Sequence, residues 1–325
     1  MDWKETAERV LGEVALKKSE ALAVLRSSDD ELLALLQAAF EVRRRYFGRG
    51  VNVHVLMNAK SGLCSEDCGF CSQSASAKSG VDRYPLRSAD VLVEGARQAH
   101  KLGAVKYCMV ASAKSPTARE METVCEAVRR IKADLPLKVC TSLGMLTAVQ
   151  ARQLAKAGVD RYNHNLETSK RYFPTICHTH AYGDRVATVR AAKAAGMEAC
   201  CGGIVGMGET LEDRVEWAFA LRDLQVDAIP VNFFDPRPGT PMEHLPRPTP
   251  ADGLRALAMV RLANPTRDIR AAGGREACLR HLQPLALYAA NSLFTKGYLT
   301  TSGQGYETDR AMIEEAGFSV ATLEA

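Results

Sequence analysis

The sequence predicts an α/β protein, a (β/α)8 TIM-type barrel with an N-terminal helical extension, and three observations carry that expectation. An Ala-rich helical stretch, a Gly or Pro stop and a short β-branched run recur in that order along the chain. Alternating elements of this kind imply a parallel sheet with right-handed crossovers. The 325 residues suit one barrel of about 250 residues preceded by an extension. No Ser/Gly linker or composition break divides them, and no dinucleotide fingerprint speaks for an open, doubly wound sheet.

Taken in order, Ser28-Asp29-Asp30-Glu31 followed by Leu32, Leu33, Leu35, Leu36, Ala39, Phe40 and Val42 reads as a capped amphipathic helix stopped at Gly48. Residues 1–48 are therefore expected to form the helical extension, and residues 49–325 the barrel with its C-terminal segment. The run Arg43-Arg44-Arg45 ends that helix, where cations suit the negative end of the dipole, and is expected to be solvated. A first strand is expected at residues 51–57. Six helix-to-strand units follow: ARQAHKLG then AVKYCMVA, AVRRIKADLP then LKVCTSL, ARQLAKAG then VDRYNHN, RAAKAAG then MEACCGGIVG, WAFALRDLQ then VDAIPVNF, and ALAMVRLANP then TRDIRAA. A closing strand at 291–294 brings the count to about eight. The Pro-rich stretch 236–250 reads as a long loop after a strand, and such loops build the active site of a barrel.

Charge names no partner. The 42 Lys+Arg against 38 Asp+Glu give +4, and the basic residues are dispersed instead of forming a nucleic-acid stripe. The acidic start Met1-Asp2-Trp3-Lys4-Glu5 lacks a signal peptide's basic region, and no apolar run reaches the length of a membrane span. The expectation is a cytoplasmic protein that binds neither nucleic acid nor membrane. Ten cysteines in a reducing compartment argue for metal ligands over disulfides.

In Gly62-Leu63-Cys64-Ser65-Glu66-Asp67-Cys68-Gly69-Phe70-Cys71-Ser72 the spacing is C-x3-C-x2-C, directly after the first strand. Ferredoxin runs and structural zinc sites close with four ligands, and here there are three. A 4Fe–4S cluster on three thiolates keeps one iron open to chelate a small molecule. A zinc site completed by a distant residue such as His54, and a reactive thiol cluster, are the alternatives. Cys108, Cys140 and Cys200 fall near the middle of three different expected strands. Inward-facing side chains there would bring three thiolates together at the barrel centre. Arg270, on a further strand, would be an unpaired buried cation unless sulfides or thiolates met it. Cys125, Cys177 and Cys278 read as bystanders. Cys201 adjoins Cys200 and would compete as a ligand only if it faced the same way, which neighbours on a strand do not.

The motifs NAKSGLCSEDCGFCSQS, YCMVAS, KVCTSLG, RYNHNLETS, CGGIVGMGET, IPVNFF, IRAAGGRE and LYAANSLF closely resemble the biotin synthase family of the radical S-adenosylmethionine superfamily, from about residue 52 to 318. The first triad alone would indicate only the superfamily; Cys108, Cys140, Cys200 and Arg270 together are more specific. The resemblance implies that Cys64, Cys68 and Cys71 carry a 4Fe–4S cluster whose open iron chelates S-adenosylmethionine. It implies that Cys108, Cys140, Cys200 and Arg270 hold a 2Fe–2S cluster. Phe70 matches an aromatic position near the adenine, and Asn165 and Arg185 match cofactor contacts. Residues 202–209, with Gly206 and Glu209, match the glycine-rich stretch beside the cofactor. Asn165 also matches a substrate contact, and Asn232 a hydrogen bond to the substrate's ureido ring. Glu167 departs from the family's frequent Asp at the ribose, one methylene longer.

The implied reaction converts dethiobiotin to biotin by inserting sulfur between two unactivated carbons, where no acid or base residue can act and the cofactors carry the chemistry. Read from the residues alone, Asn163, Asn165 and Asn232 fit turn chemistry at strand ends, His164 a structural histidine, and GGIVGMGE neither a dinucleotide nor a phosphate loop. Another radical S-adenosylmethionine enzyme, of the hydrogenase-cofactor maturase or mutase type, is the nearest rival, and an iron–sulfur electron carrier the next. The resemblance further implies a homodimer, a flavodoxin- or ferredoxin-type reductant and cluster-assembly proteins as partners.

Overall fold

The computed structural model describes residues 1–295, 297–301 and 303–321. Residues 322–325 of the expected barrel segment lie outside the described residues. Among the described residues there are ten strands: β1 Gly50–Lys60, β2 Lys106–Ala111, β3 Lys138–Ser142, β4 Arg161–Asn163, β5 Glu198–Cys200, β6 Gly203–Val205, β7 Ala228–Phe233, β8 Asp268–Ala271, β9 Ser292–Thr295 and β10 Ser319–Val320. Each pairs in parallel with the next around the ring, and β9 returns to β1, so the sheet closes. β5 and β6 both pair with β7 and form one interrupted stave, which makes the barrel eight-membered. The stretch 197–206, expected as one strand, breaks where a Cβ on Gly202 would stand 1.9 Å from the Pro230 carbonyl oxygen. The short β10 extends β1 outside the ring at Gly50 and Val51.

Thirteen α-helices accompany the described strands: α1 Trp3–Leu11, α2 Lys18–Leu25, α3 Leu32–Phe47, α4 Ala89–Lys101, α5 Ala118–Asp134, α6 Ala148–Ala157, α7 Phe173–Ile176, α8 Tyr182–Ala194, α9 Leu211–Asp223, α10 Pro250–Ala263, α11 Arg275–Leu279, α12 Gln283–Ala286 and α13 Tyr306–Glu315. The six expected crossovers are α4, α5, α6, α8, α9 and α10. Four of them start on a Thr followed three residues later by Glu, Gln or Asp. Thr117, Thr147, Thr210 and Thr249 each accept a bond from the backbone N–H of that residue. Each cap contributes about 1 kcal/mol and fixes where the loop above the barrel ends and the helix begins. Among the described residues no helix is long and apolar enough to cross a membrane.

The extension lies on the outside of the barrel, with α2 against α9 and α10, α3 against α10, and α1 against α3. Leu35, Leu36 and Ala39 join Leu254, Leu257 and Leu262 in one apolar cluster. Helix α10 is buried from Gly253 to Ala263, as its GLRALAMVRLA sequence requires of a helix apolar on nearly every side.

One expectation fails here. Arg44 and Arg45 are exposed, but Arg43 is fully buried. It lies three and four residues beyond Phe40 and Ala39, on the apolar stripe of α3, so the helix carries it inward. Its guanidinium donates to the carbonyls of Ala290 at 3.1 Å, Gly50 at 2.7 Å and Gly48, and lies 4.8 Å from the Phe318 ring centroid. These bonds tie the extension to the entry of β1 and the approach to β9. Arg43→Met would leave those carbonyls with one donor fewer each. It is expected to lower unfolding free energy by about 2–4 kcal/mol, read from urea midpoints at unchanged slope.

Candidate active site

Because side chains alternate along a strand, residues two apart share the barrel interior. Register places Leu56 beside Cys108, Cys108 beside Cys140, Asn163 beside Cys200 and Pro230 beside Arg270. One step toward the strand N-termini a charged floor closes the barrel. Lys106 and Arg161 meet Glu198 at 3.3 and 2.6 Å, and Asp268 takes Arg161 at 2.9 Å and Arg270 at 3.2 Å. Ser292 donates to the other Asp268 oxygen at 2.6 Å. Burial opposes ionisation of Asp268, but Arg270 and Arg161 outweigh it and hold the carboxyl well below its usual range. Above the floor opens a cavity of about 300 Å3 lined by both sets of cysteines.

At the inner end, Cys108, Cys140 and Cys200 all face this cavity with Arg270. Arg270 is 1% exposed. One terminal nitrogen reaches Cys200 Sγ at 3.7 Å, the other reaches His54 Nε2 at 3.4 Å and Asp268, and Nε has no partner. Asn163 Nδ2 also lies 3.3 Å from Cys200 Sγ. A bond from Cys140 lowers the Cys108 thiol, with Arg270 assisting against burial, while Cys140 keeps its proton and is raised. Three thiols, a cation that shares its only carboxylate with Arg161, and an unsatisfied guanidinium N–H fit a compact, sulfur-rich anionic group. His54, the distant residue considered as completing a zinc site on Cys64, Cys68 and Cys71, lies instead in the floor with Nε2 3.4 Å from Arg270, and is not among the residues that line the cavity with that triad.

At the outer end, Cys64, Cys68 and Cys71 line the same cavity on the loop after β1, with Phe70 beside them. Arg185, at the start of α8, organises this end. It donates to His180 Nε2 at 2.9 Å, to the Asn165 carbonyl at 2.9 Å and to Glu167 at 3.3 Å, and it stands 3.8 Å from Cys68 Sγ. Burial raises the Glu167 carboxyl and Arg185 opposes that rise. Glu167 also occupies a left-handed backbone conformation, φ 68°. It is held there because Ile204 N–H donates to its carbonyl at 2.8 Å, and a Cβ on Gly203 would stand only 2.3 Å from that same oxygen. Burial pushes the Cys71 thiol up to about 11, so cation or metal is needed to make this set anionic.

The expected contacts divide. Phe70, Asn165, Glu167, Arg185 and Asn232 line the cavity, whereas Gly206 and Glu209 are not among its lining residues. Glu209 instead accepts the N–H groups of Gly206 at 2.7 Å and Met207 at 2.6 Å and pairs with Arg214 at 2.6 Å, clamping the turn. Asn232 bridges backbone, donating to Gly203 O at 3.0 Å and accepting from Gly273 N at 2.9 Å, which leaves one N–H and one lone pair. Cys201 is buried in the opposite, helix-facing core. Cys177, taken as a bystander, stands 3.8 Å from Cys68 Sγ, and the bond from Cys68 lowers it to about 7. Sequence reasoning missed Ser142, Phe294 and Tyr298 in the lining, while Ile204 lies within the stretch 202–209 expected beside the cofactor. Period two from Cys140 points to Ser142; nothing local marks Tyr298.

A family model for the radical SAM superfamily matches residues 60–221, and one for the biotin and thiamin synthesis associated domain matches residues 230–319. The chain is similar to a biotin synthase of Salinibacter ruber, 55% identical over 322 residues, covering 99% of this chain and 90% of that protein. A biotin synthase of Halalkalibacterium halodurans is 48% identical over 324 residues, with coverage of 100% and 97%. Among solved structures, a methylornithine synthase superposes with a TM-score of 0.85 at 20% identity over 97% of each chain. The FeFe-hydrogenase maturase from Carboxydothermus hydrogenoformans superposes with a TM-score of 0.83 at 15% identity, over 99% of this chain and 80% of that one. These two likenesses carry the fold alone.

The floor sets its own test. Asp268→Ala would leave Arg161 and Arg270 buried without their shared carboxylate. A loss of about 3–5 kcal/mol in unfolding free energy is expected, read by denaturant titration of the full chain.

Proposed function

The chain belongs to the biotin synthase family of the radical S-adenosylmethionine superfamily, and from that premise we propose how its cavity converts dethiobiotin to biotin. The single observation that supports the reading is one continuous cavity lined by both thiol sets, with Arg270 at its inner end. Cys64, Cys68 and Cys71 would hold the 4Fe–4S cluster, and Cys108, Cys140, Cys200 and Arg270 the 2Fe–2S cluster. When bound, the outer cluster supplies reductive cleavage of S-adenosylmethionine to a hydrogen-abstracting radical, and the inner cluster supplies the sulfur.

The chain's own residues bind, orient and exclude water. Arg185 and Glu167, held to each other at 3.3 Å, present a cation and a carboxylate to the zwitterionic amino-acid end and the ribose of S-adenosylmethionine, and Phe70 offers a face for its adenine. Asn165 and the free N–H and lone pair of Asn232 would hold the polar ureido ring of dethiobiotin. Val110, Ile204 and Phe294 give its alkyl portion an apolar wall between the two clusters. No residue need move a proton at the reacting carbons. Gly206 and Glu209 support the cofactor side indirectly, through the turn that Glu209 clamps.

Membership in the family sets aside the maturase, mutase and electron-carrier alternatives. A homodimer, a flavodoxin- or ferredoxin-type reductant, cluster-assembly proteins and a cytoplasmic setting belong to the proposal, as does the division into an extension, 1–48, and a barrel, 49–325.

Anaerobic reconstitution of the full chain should bring about six irons per chain, about four in Cys140→Ala and about two in Cys68→Ala. Reduction with S-adenosylmethionine should yield 5′-deoxyadenosine, and dethiobiotin should increase that yield; no increase would overturn the substrate. Asn232→Ala should raise the half-saturating dethiobiotin concentration about tenfold with iron content unchanged, as expected for one buried hydrogen-bonding group lost.

A further inference from the structure

Cys177 is used by neither cluster, yet its sulfur lies 3.8 Å from that of Cys68. The surrounding backbone makes the approach a built one. On one side of the pair, Gly69 N–H donates to Ile176 O at 2.8 Å. On the other, the Asp67 side-chain carboxylate accepts from the backbone N–H groups of His178 at 3.0 Å and Thr179 at 3.2 Å, and Asp67 N–H donates to Thr179 Oγ1 at 3.2 Å. Residues 67–69 therefore run against 176–179 with Cys68 and Cys177 opposite each other. The sulfurs, 3.8 Å apart, need a change of rotamer to close to the about 2.05 Å of a disulfide bond.

We propose that Cys68 and Cys177 form a reversible disulfide in the chain when the outer cluster is absent, with peroxide as the oxidant. The Cys177 thiolate attacks one peroxide oxygen; the O–O bond breaks, hydroxide leaves and takes a proton from solvent, and Cys177 becomes a sulfenic acid. Cys68 sulfur then attacks the Cys177 sulfur, the S–S bond forms, and the hydroxyl departs as water with the Cys68 proton. The two sulfurs lose two electrons together, and peroxide is reduced to two waters. Cys68 lines the cavity and Cys177 stands 3.8 Å behind it, so a small oxidant would have to pass Cys68 from the cavity to meet Cys177. A metal ion shared by Cys68, Cys177 and His180, whose ligand atoms lie within 4.8 Å of one another, is the weaker reading. Both His180 nitrogens are already spent, on Glu66 and Arg185.

The disulfide rests on this geometry alone. Its consequence, that a cavity-lining cluster ligand is parked at the disulfide level and spared irreversible oxidation, rests on Cys68 being an outer-cluster ligand. The full-length, cluster-free chain is treated with a few equivalents of hydrogen peroxide, its remaining thiols are blocked with iodoacetamide, and it is digested without reductant for mass spectrometry. A linked Cys68–Cys177 peptide is expected, lost with dithiothreitol and absent from Cys177→Ser, and Cys68 labelling should fall about fivefold relative to Cys64. Cys68 labelled as fully as Cys64 and Cys71, or linked to either of them, overturns the proposal. Since the readout involves neither iron nor dethiobiotin, its failure is separate from failure of the catalytic reading.

Discussion

The interior of this barrel is organised around a cation that cannot reach water. Arg270 is 1% exposed, and an uncompensated guanidinium at that depth would cost several kcal/mol. Asp268 supplies one countercharge but divides it with Arg161 at 2.9 Å, so the floor is balanced only when further negative charge stands on its upper side. Cys108 and Cys200 are the groups within the field of Arg270 that can provide it. The same constraint that makes the floor rigid therefore makes the layer above it receptive to an anionic, sulfur-bound group. Stability and cofactor chemistry meet on one side chain.

The second constraint is geometric. Parallel strands pairing in fixed register put Cys108 beside Cys140 and Asn163 beside Cys200 at one depth, while the loop after β1 carries Cys64, Cys68 and Cys71 at the mouth. On the proposed reading, a substrate held between them would be reached from both ends. In that arrangement proximity would be the chain's contribution to the rate, with the apolar wall excluding water.

Much of this was legible in the sequence, and the exceptions have physical causes. The six crossovers and the closing strand follow from period and punctuation: four of the helix starts are written as Thr capping boxes, and the strands as short β-branched runs. Arg43 was misjudged from its charge, although its spacing from Ala39 and Phe40 put it on the buried stripe. The break between β5 and β6 has no signal of its own; it exists because Gly202 meets Pro230, a contact between residues 28 apart in sequence. Cys177 was invisible for the same reason, since its partner lies 109 residues away. Gly206 and Glu209, expected beside the cofactor, form a turn that the Glu209 carboxylate clamps through the Gly206 and Met207 N–H groups.

The outer end of the cavity is held by a chain of buried polar groups that joins three segments far apart in sequence. Glu66, on the cysteine loop, bonds His180 Nδ1; His180 Nε2 accepts from Arg185 at 2.9 Å; Arg185 reaches Glu167 at 3.3 Å; and Glu167 bonds Asn165 Nδ2 at 3.3 Å. Burial, helped by the adjacent Arg185, lowers the His180 pKa. The neutral ring can then donate from Nδ1 to a carboxylate while accepting at Nε2, a direction of bonding that a charged imidazole could not adopt. Each member fixes the next, so the cysteine loop, the end of β4 and the start of α8 are positioned together. The one-methylene difference at Glu167 fits into this chain: the longer carboxylate lines the cavity while meeting both Arg185 at 3.3 Å and Asn165 at 3.3 Å.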